Sequence, residues 1–190
     1  MGDINIYDIY ADQCLAGANK DAKQLLKALG NGHVASSHLG SNPTPDYEPC
    51  IEDFLTSYLN RDDVQKAMHA RTTKWTQCSS VVNYDYSDLL ASMLPVYESL
   101  LAEDLEIVVF SGDVDAIVPV SGTRNWLNKL GLAVKESWAP WIDSEGQVGG
   151  YRVGYDGLTF VTVRDAGHMV PYTQPGRALD LLKAGLGGTL

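Results

Sequence analysis

Apolar and polar positions change rhythm near residue 105. Before it, apolar residues recur at helical spacing. Leu25, Leu26 and Leu29 share one stripe of a predicted helix over 19–29, which Asn19 can cap. Ile51 to Tyr58 reads as a second helix. A third starts at Asn60 as N-cap, carries Asp62 and Asp63 in its first turn where the helix dipole favours acids, and runs to about His69. From Ser87 to Glu103, large residues at 89, 90, 93, 94, 97, 100 and 101 form one helical face, in which Pro95 should bend the helix or break one of its bonds. Two stretches lack any period. Residues 30–49, rich in Gly, Ser, Asn, His and Pro, read as an exposed, flexible connection open to proteolytic cleavage, and residues 74–84 as irregular. Near the start, Tyr7 to Tyr10 forms a short apolar-aromatic segment ahead of Cys14.

After residue 105 the period shortens. Ile107-Val108-Val109-Phe110 is a continuous, largely β-branched apolar run bounded by Gly112, the texture of a parallel strand buried on both faces. A helix over Ser121 to Gly131 follows, stopped by its terminal glycine. Val134 to Trp141 and Gln147 to Tyr155 read as strands around an Asp143-Ser144-Glu145-Gly146 turn. Leu158 to Val163 reads as another strand, and Gln174 to Ala184 as a closing helix. Strand, helix, hairpin, strand, helix is the tail of an α/β sheet. The predicted organisation is a helical cap or insertion segment over 1–104 and the sheet-bearing part over 105–190.

Two loops hold the candidate chemistry. Ser111-Gly112-Asp113-Val114-Asp115 follows the first strand, and Asp165-Ala166-Gly167-His168-Met169-Val170-Pro171 follows the last. Sites in open α/β sheets form beyond the carboxyl ends of strands, so carboxylates and an imidazole converge on one sheet edge. An acid and then a histidine in the last two loops is the order of the α/β-hydrolases, in which the nucleophile comes first. In that chemistry the imidazole takes a proton from serine and passes it to the leaving group. A buried carboxylate fixes its tautomer and stabilises the cation. Taken singly, Asp113 and Asp115 could as well bond turn amides, and His168 could be an ordinary loop histidine.

Composition narrows the classes. The chain has 190 residues, 45% hydrophobic and 20% charged, the proportions of a globular domain. A formal net charge of −10 with no basic patch excludes nucleic-acid and anionic-membrane partners and suits an acidic compartment. No apolar run is long enough to span a bilayer, and no signal peptide is visible. The opening Met1-Gly2-Asp3-Ile4 reads like the middle of a domain, so a secreted protein would carry its signal upstream. The three cysteines, Cys14, Cys50 and Cys78, are either three buried thiols or one bridge with a leftover that pairs elsewhere. Without a CxxC pair or a His/Cys cluster, neither metal nor cofactor is expected. His69 reads as structural, His33 and His38 as solvated, and Trp75, Trp126, Trp138 and Trp141 as packing anchors. No glycosylation sequon is present once Asn42-Pro43-Thr44 is excluded.

The segments INIYDIY, YEPC, YLNRDDVQKAMHA, WTQCS, SMLPVYESLL, VVFSGDVDAIVPVSGTRNWL and VTVRDAGHMVPYTQPGRAL resemble the second half of the serine carboxypeptidase family. The resemblance implies the C-terminal part of an α/β-hydrolase core behind a helical insertion. It implies Asp115 as triad acid with Asp113 as its structural neighbour, His168 as general base, and Met169 lining the pocket for the departing residue. It also implies a Cys14–Cys50 bridge, a Cys78 partner outside this chain, a processing site within 30–45, and a secreted or vacuolar location. One departure outweighs the agreements: the chain contains no G-x-S-x-G nucleophile elbow. The expectation is therefore half an active site, inactive without an amino-terminal half that carries the serine. The intact enzyme would hydrolyse C-terminal peptide bonds. The same parts would serve a related acyltransferase or lyase, or a non-catalytic fragment.

Overall fold

The computed structural model describes residues 4–14, 49–82, 85–103 and 105–189. The predicted helix over 19–29, most of the 30–49 connection, His33 and His38 lie outside them. The chain divides into two compact units. One comprises residues 12–35 and 48–91, the other residues 1–11, 36–47 and 92–190.

The first unit contains α1 (Ile51–Leu59), α2 (Asp62–Ala67) and α3 (Tyr86–Leu89). Two side-chain amides, Gln65 and Asn60, stitch it together. Gln65 Nε2 donates to the carbonyls of Leu59 (3.0 Å) and Thr73 (2.7 Å), and its oxygen accepts from Thr73 N–H (3.1 Å). Asn60 closes α1 rather than opening α2. Its Nδ2 donates to Thr56 and Trp75 carbonyls (2.8 and 2.9 Å), and its Oδ1 accepts from Trp75 N–H (2.9 Å). With that side chain engaged, Arg61 takes the N-cap position of α2 without a side-chain bond. Cys14 and Cys50 are joined in a disulfide, and Cys78 is a free, exposed thiol. Cys14, Cys50 and Asp53 cluster within 4.8 Å, yet both sulfurs belong to the disulfide and offer no thiolate to a metal.

The single helix expected over 87–103 is two. Helix α3 stops at Leu89, and α4 (Leu94–Leu101) starts afresh. Pro95 has no N–H to give the carbonyl of Ala91, and the Ser92 hydroxyl oxygen accepts the Leu94 N–H at 3.3 Å. Proline thus sits in the first turn of α4, where a missing donor costs nothing.

The second unit is a four-stranded sheet of β1 (Ile107–Gly112), β2 (Val134–Ile142), β3 (Val148–Tyr155) and β4 (Leu158–Val163), in the order β1-β4-β3-β2. Strands β1 and β4 are parallel, and the other pairs are antiparallel. Helix α5 (Val120–Lys129) lies between β1 and β2 in the chain, while α6 (Val170–Thr173) and α7 (Pro175–Leu186) follow β4. Strand β4 is apolar on both faces because both are covered. Val161 and Val163 pack with Ala166, Val170 and Leu181 on one side. Leu158 and Phe160 pack with Leu127, Tyr97 and Trp126 on the other. The α/β-sheet expectation therefore holds. Strand β1 is covered less fully than its sequence suggests: Phe110 is 51% exposed.

Candidate active site

The parallel pairing of β1 with β4 sets Gly112 opposite Val163, so both strands end together and their loops leave the sheet side by side. Backbone bonds join them: Asp113 N–H donates to Val163 O and Val114 N–H to Ala166 O, both at 3.1 Å. The approach is so close that a Cβ at Gly112 would collide with the carbonyls of Ala166 and Gly167.

Here Asp115 and His168 meet. Asp115 Oδ2 lies 2.9 Å from His168 Nδ1. Asp115 Oδ1 accepts from the N–H groups of Ile117 and Val118 at 2.9 and 3.1 Å, which fixes the carboxylate within its own turn. The Asp115 side chain is 5% exposed and that of His168 41% exposed. A buried carboxylate on Nδ1 makes that nitrogen the protonated one and leaves Nε2 as the basic site. This arrangement can orient an imidazole for proton transfer.

A segment to which the sequence reading assigned no role holds both loops. The Tyr7 carbonyl accepts from His168 N–H at 2.7 Å, the Ile6 carbonyl accepts from Ala116 N–H at 3.0 Å, and Ile9 N–H donates to Val114 O at 3.1 Å. The Tyr7 ring lies 5.6 Å from the imidazole, centroid to centroid, tilted by 50°. These are mostly backbone contacts, which leave no periodic signal in side-chain types. A side chain on Gly167 would strike the Tyr7 carbonyl and Asp8, so glycine there is a consequence of this strap.

Beyond His168, Gly167 N–H donates to Thr173 Oγ1 at 3.0 Å, and Met169 is the N-cap residue of α6, with an exposed side chain. Arg177 on α7 reaches back to the loop, with Nη1 donating to Arg164 O at 2.9 Å and Nε to Asp143 at 3.1 Å. Asp143 was legible only as a turn residue, yet its side chain is 5% exposed and ion-paired. Burial pushes its carboxyl up, but the Gln147 N–H, the Arg177 guanidinium and the Glu145 N–H outweigh that and hold it below its ordinary value. Asp113 is displaced the other way. Burial raises it, and the neighbouring charge of Asp165 adds to this, against the Asp165 N–H and the Arg164 and Arg177 cations. His69 lies in the other unit, at positive φ just after α2.

Fold and sequence comparisons define the class. Over 72% of this chain and 32% of the matched one, the structure superimposes with a TM-score of 0.62 and 24% identity on Kex1(delta)p, a prohormone-processing carboxypeptidase of Saccharomyces cerevisiae. The sheet is part of an α/β-hydrolase fold. The sequence profile described as serine carboxypeptidase matches residues 1–188. Among Arabidopsis thaliana relatives, serine carboxypeptidase-like 23 is 47% identical over 99% of this chain and 39% of its own length. Serine carboxypeptidase-like 22 is 44% identical over 99% and 41%, and serine carboxypeptidase 24 is 44% identical over 99% and 40%. The chain belongs to the serine carboxypeptidase family. It spans about two fifths of the length of the curated relatives it matches.

Proposed function

We propose that this chain is the C-terminal portion of a serine-type carboxypeptidase and supplies two members of a Ser-His-Asp triad. His168 is the general base that accepts the serine proton and returns it to the leaving amine. Asp115 holds the imidazole and stabilises its charged form. The nucleophile comes from the portion of the enzyme that this chain does not span, so the chain alone does not hydrolyse peptides. Met169, adjoining the base, lines the pocket of the departing C-terminal residue.

The observation that carries this reading is the 2.9 Å contact between His168 Nδ1 and a buried carboxylate at the carboxyl ends of two parallel strands. Support for a missing partner segment comes from β1, which pairs only with β4 among the described residues and carries the exposed Phe110. The free Cys78 fits a bridge to that segment. The Cys14–Cys50 disulfide fits the oxidising secretory pathway and an extracellular or vacuolar destination. Among the described residues no helix is long and apolar enough to cross a membrane.

The test is co-expression with the amino-terminal portion of serine carboxypeptidase 24, followed by assay on an amino-blocked dipeptide. Release of the free C-terminal amino acid by the pair, by neither part alone, and not by the His168→Ala pair is expected. Undiminished hydrolysis by His168→Ala would defeat the assignment. Transfer of the acyl group to an added alcohol in place of water would redirect it to acyl transfer.

A further inference from the structure

The acid loop and the histidine loop are joined by a side chain as well as by backbone. Asp113 Oδ1 accepts from the backbone N–H of Asp165 at 2.7 Å. Asp165 has a φ of 55°, a left-handed conformation uncommon for residues with a Cβ, although aspartate adopts it more readily than most, and several contacts hold it here. The Asp165 carbonyl accepts from Gln174 Nε2 at 3.0 Å. Its carboxylate lies 3.5 Å from Arg164 Nε and 3.7 Å from Arg177 Nη1. Its N–H is held by Asp113 alone among these, from the opposite loop. Turning Asp165 out of this conformation would re-aim Ala166 and Gly167, the two residues that lead to His168.

We propose that Asp113 is a positioning residue: by pinning the left-handed turn at Asp165 it sets the His168 imidazole at bonding distance from Asp115. The role rests on reading Asp115 and His168 as the acid and base of the triad. The Asp113 backbone N–H bond to Val163 is open to any residue other than proline, so the side chain is what the role requires. A neutral acceptor suffices, since the Asp165 N–H needs a single oxygen to accept it.

The test reads the imidazole without substrate, so failure of positioning and failure of hydrolysis are told apart. The chain has four histidines, and labelling them with 15N gives a simple long-range 1H–15N correlation spectrum, recorded at a pH where the rings are neutral. The His168 signals are assigned by His168→Ala. Wild type should show His168 protonated at Nδ1. Asp113→Asn, which keeps the acceptor, should retain that form. Asp113→Ala should lose it in favour of the Nε2–H form while the methyl spectrum of the β3–β4 core stays native. Should Asp113→Ala lose the fold, the double variant Asp113→Ala/Asp165→Gly carries the test, because glycine takes a positive φ unaided. Its recovery of both the fold and the Nδ1–H form is expected. A folded Asp113→Ala that keeps the Nδ1–H form, an Asp113→Asn that loses it, or a double variant that recovers neither would overturn the proposal.

Discussion

Asp115 divides its two oxygens between two kinds of partner. One accepts from amides of its own turn, and the other faces the imidazole. Asp115→Asn keeps an acceptor for the turn and removes the negative charge from the imidazole. In a triad the wrong tautomer and the lost charge lower turnover by about 10⁴. We therefore expect a kcat of the co-expressed enzyme reduced by that order in a stopped assay, with KM nearly unchanged and a melting curve like that of wild type. A variant that unfolds, or that retains wild-type kcat, would show that Asp115 serves the turn only. The same residue illustrates why single positions were ambiguous in the sequence. Bonding turn amides and orienting a base are not exclusive alternatives, and Asp115 engages both kinds of partner.

At the scale of elements, the site depends on how closely two strand ends approach. Gly112 and Val163 are paired across β1 and β4, and the carbonyls of the histidine loop pass over Gly112 without room for a methyl group. Backbone atoms cannot step aside as a flexible side chain can. Gly112→Ala should therefore cost about 2 kcal/mol or more in urea unfolding, although the residue lies in a strand where alanine is otherwise tolerated. A stability equal to wild type would mean that the loops are not packed this tightly. Elements such as β4 were legible because large apolar residues lie on both of its covered faces: Leu158 to Val163 reads as a strand and is one strand with those ends. The helix over 87–103 was not legible as two. Its apolar spacing continues across a break set by one proline and one serine hydroxyl, and Leu89, Leu90 and Met93 on the supposed face are exposed. The segment Ile4–Tyr10 was visible in the sequence, but its role as a strap was not, for a different reason. Its contacts are made by peptide groups, which every residue carries.

For the whole molecule, charge governs stability as well as solubility. The formal net charge of −10 is concentrated on carboxylates whose surroundings differ. Asp143 is held below the ordinary value of 3.8. Its contribution is therefore present above that value and is lost as pH falls through the lower, folded-state value. Asp143→Asn breaks a buried pair with Arg177 and should cost about 3 kcal/mol near neutral pH, a deficit that closes as the medium is acidified. Thermal unfolding of both proteins over a pH series checks this, and a gap independent of pH would contradict it. Asp113, raised by burial, works in the opposite sense. Its contribution is present below the ordinary carboxylate value and is lost as pH rises through its raised one.

The central claim is that this chain brings the acid and the base to a triad and that the nucleophile is carried on another segment. An active-site-directed fluorophosphonate tests it in one measurement, the intact masses of both chains after treatment of the co-expressed pair. A covalent adduct on the amino-terminal portion, none on the 190-residue chain, and none on either when His168 is replaced by alanine is the predicted result. An adduct on the 190-residue chain itself, or labelling of the partner that ignores the loss of His168, would contradict the account.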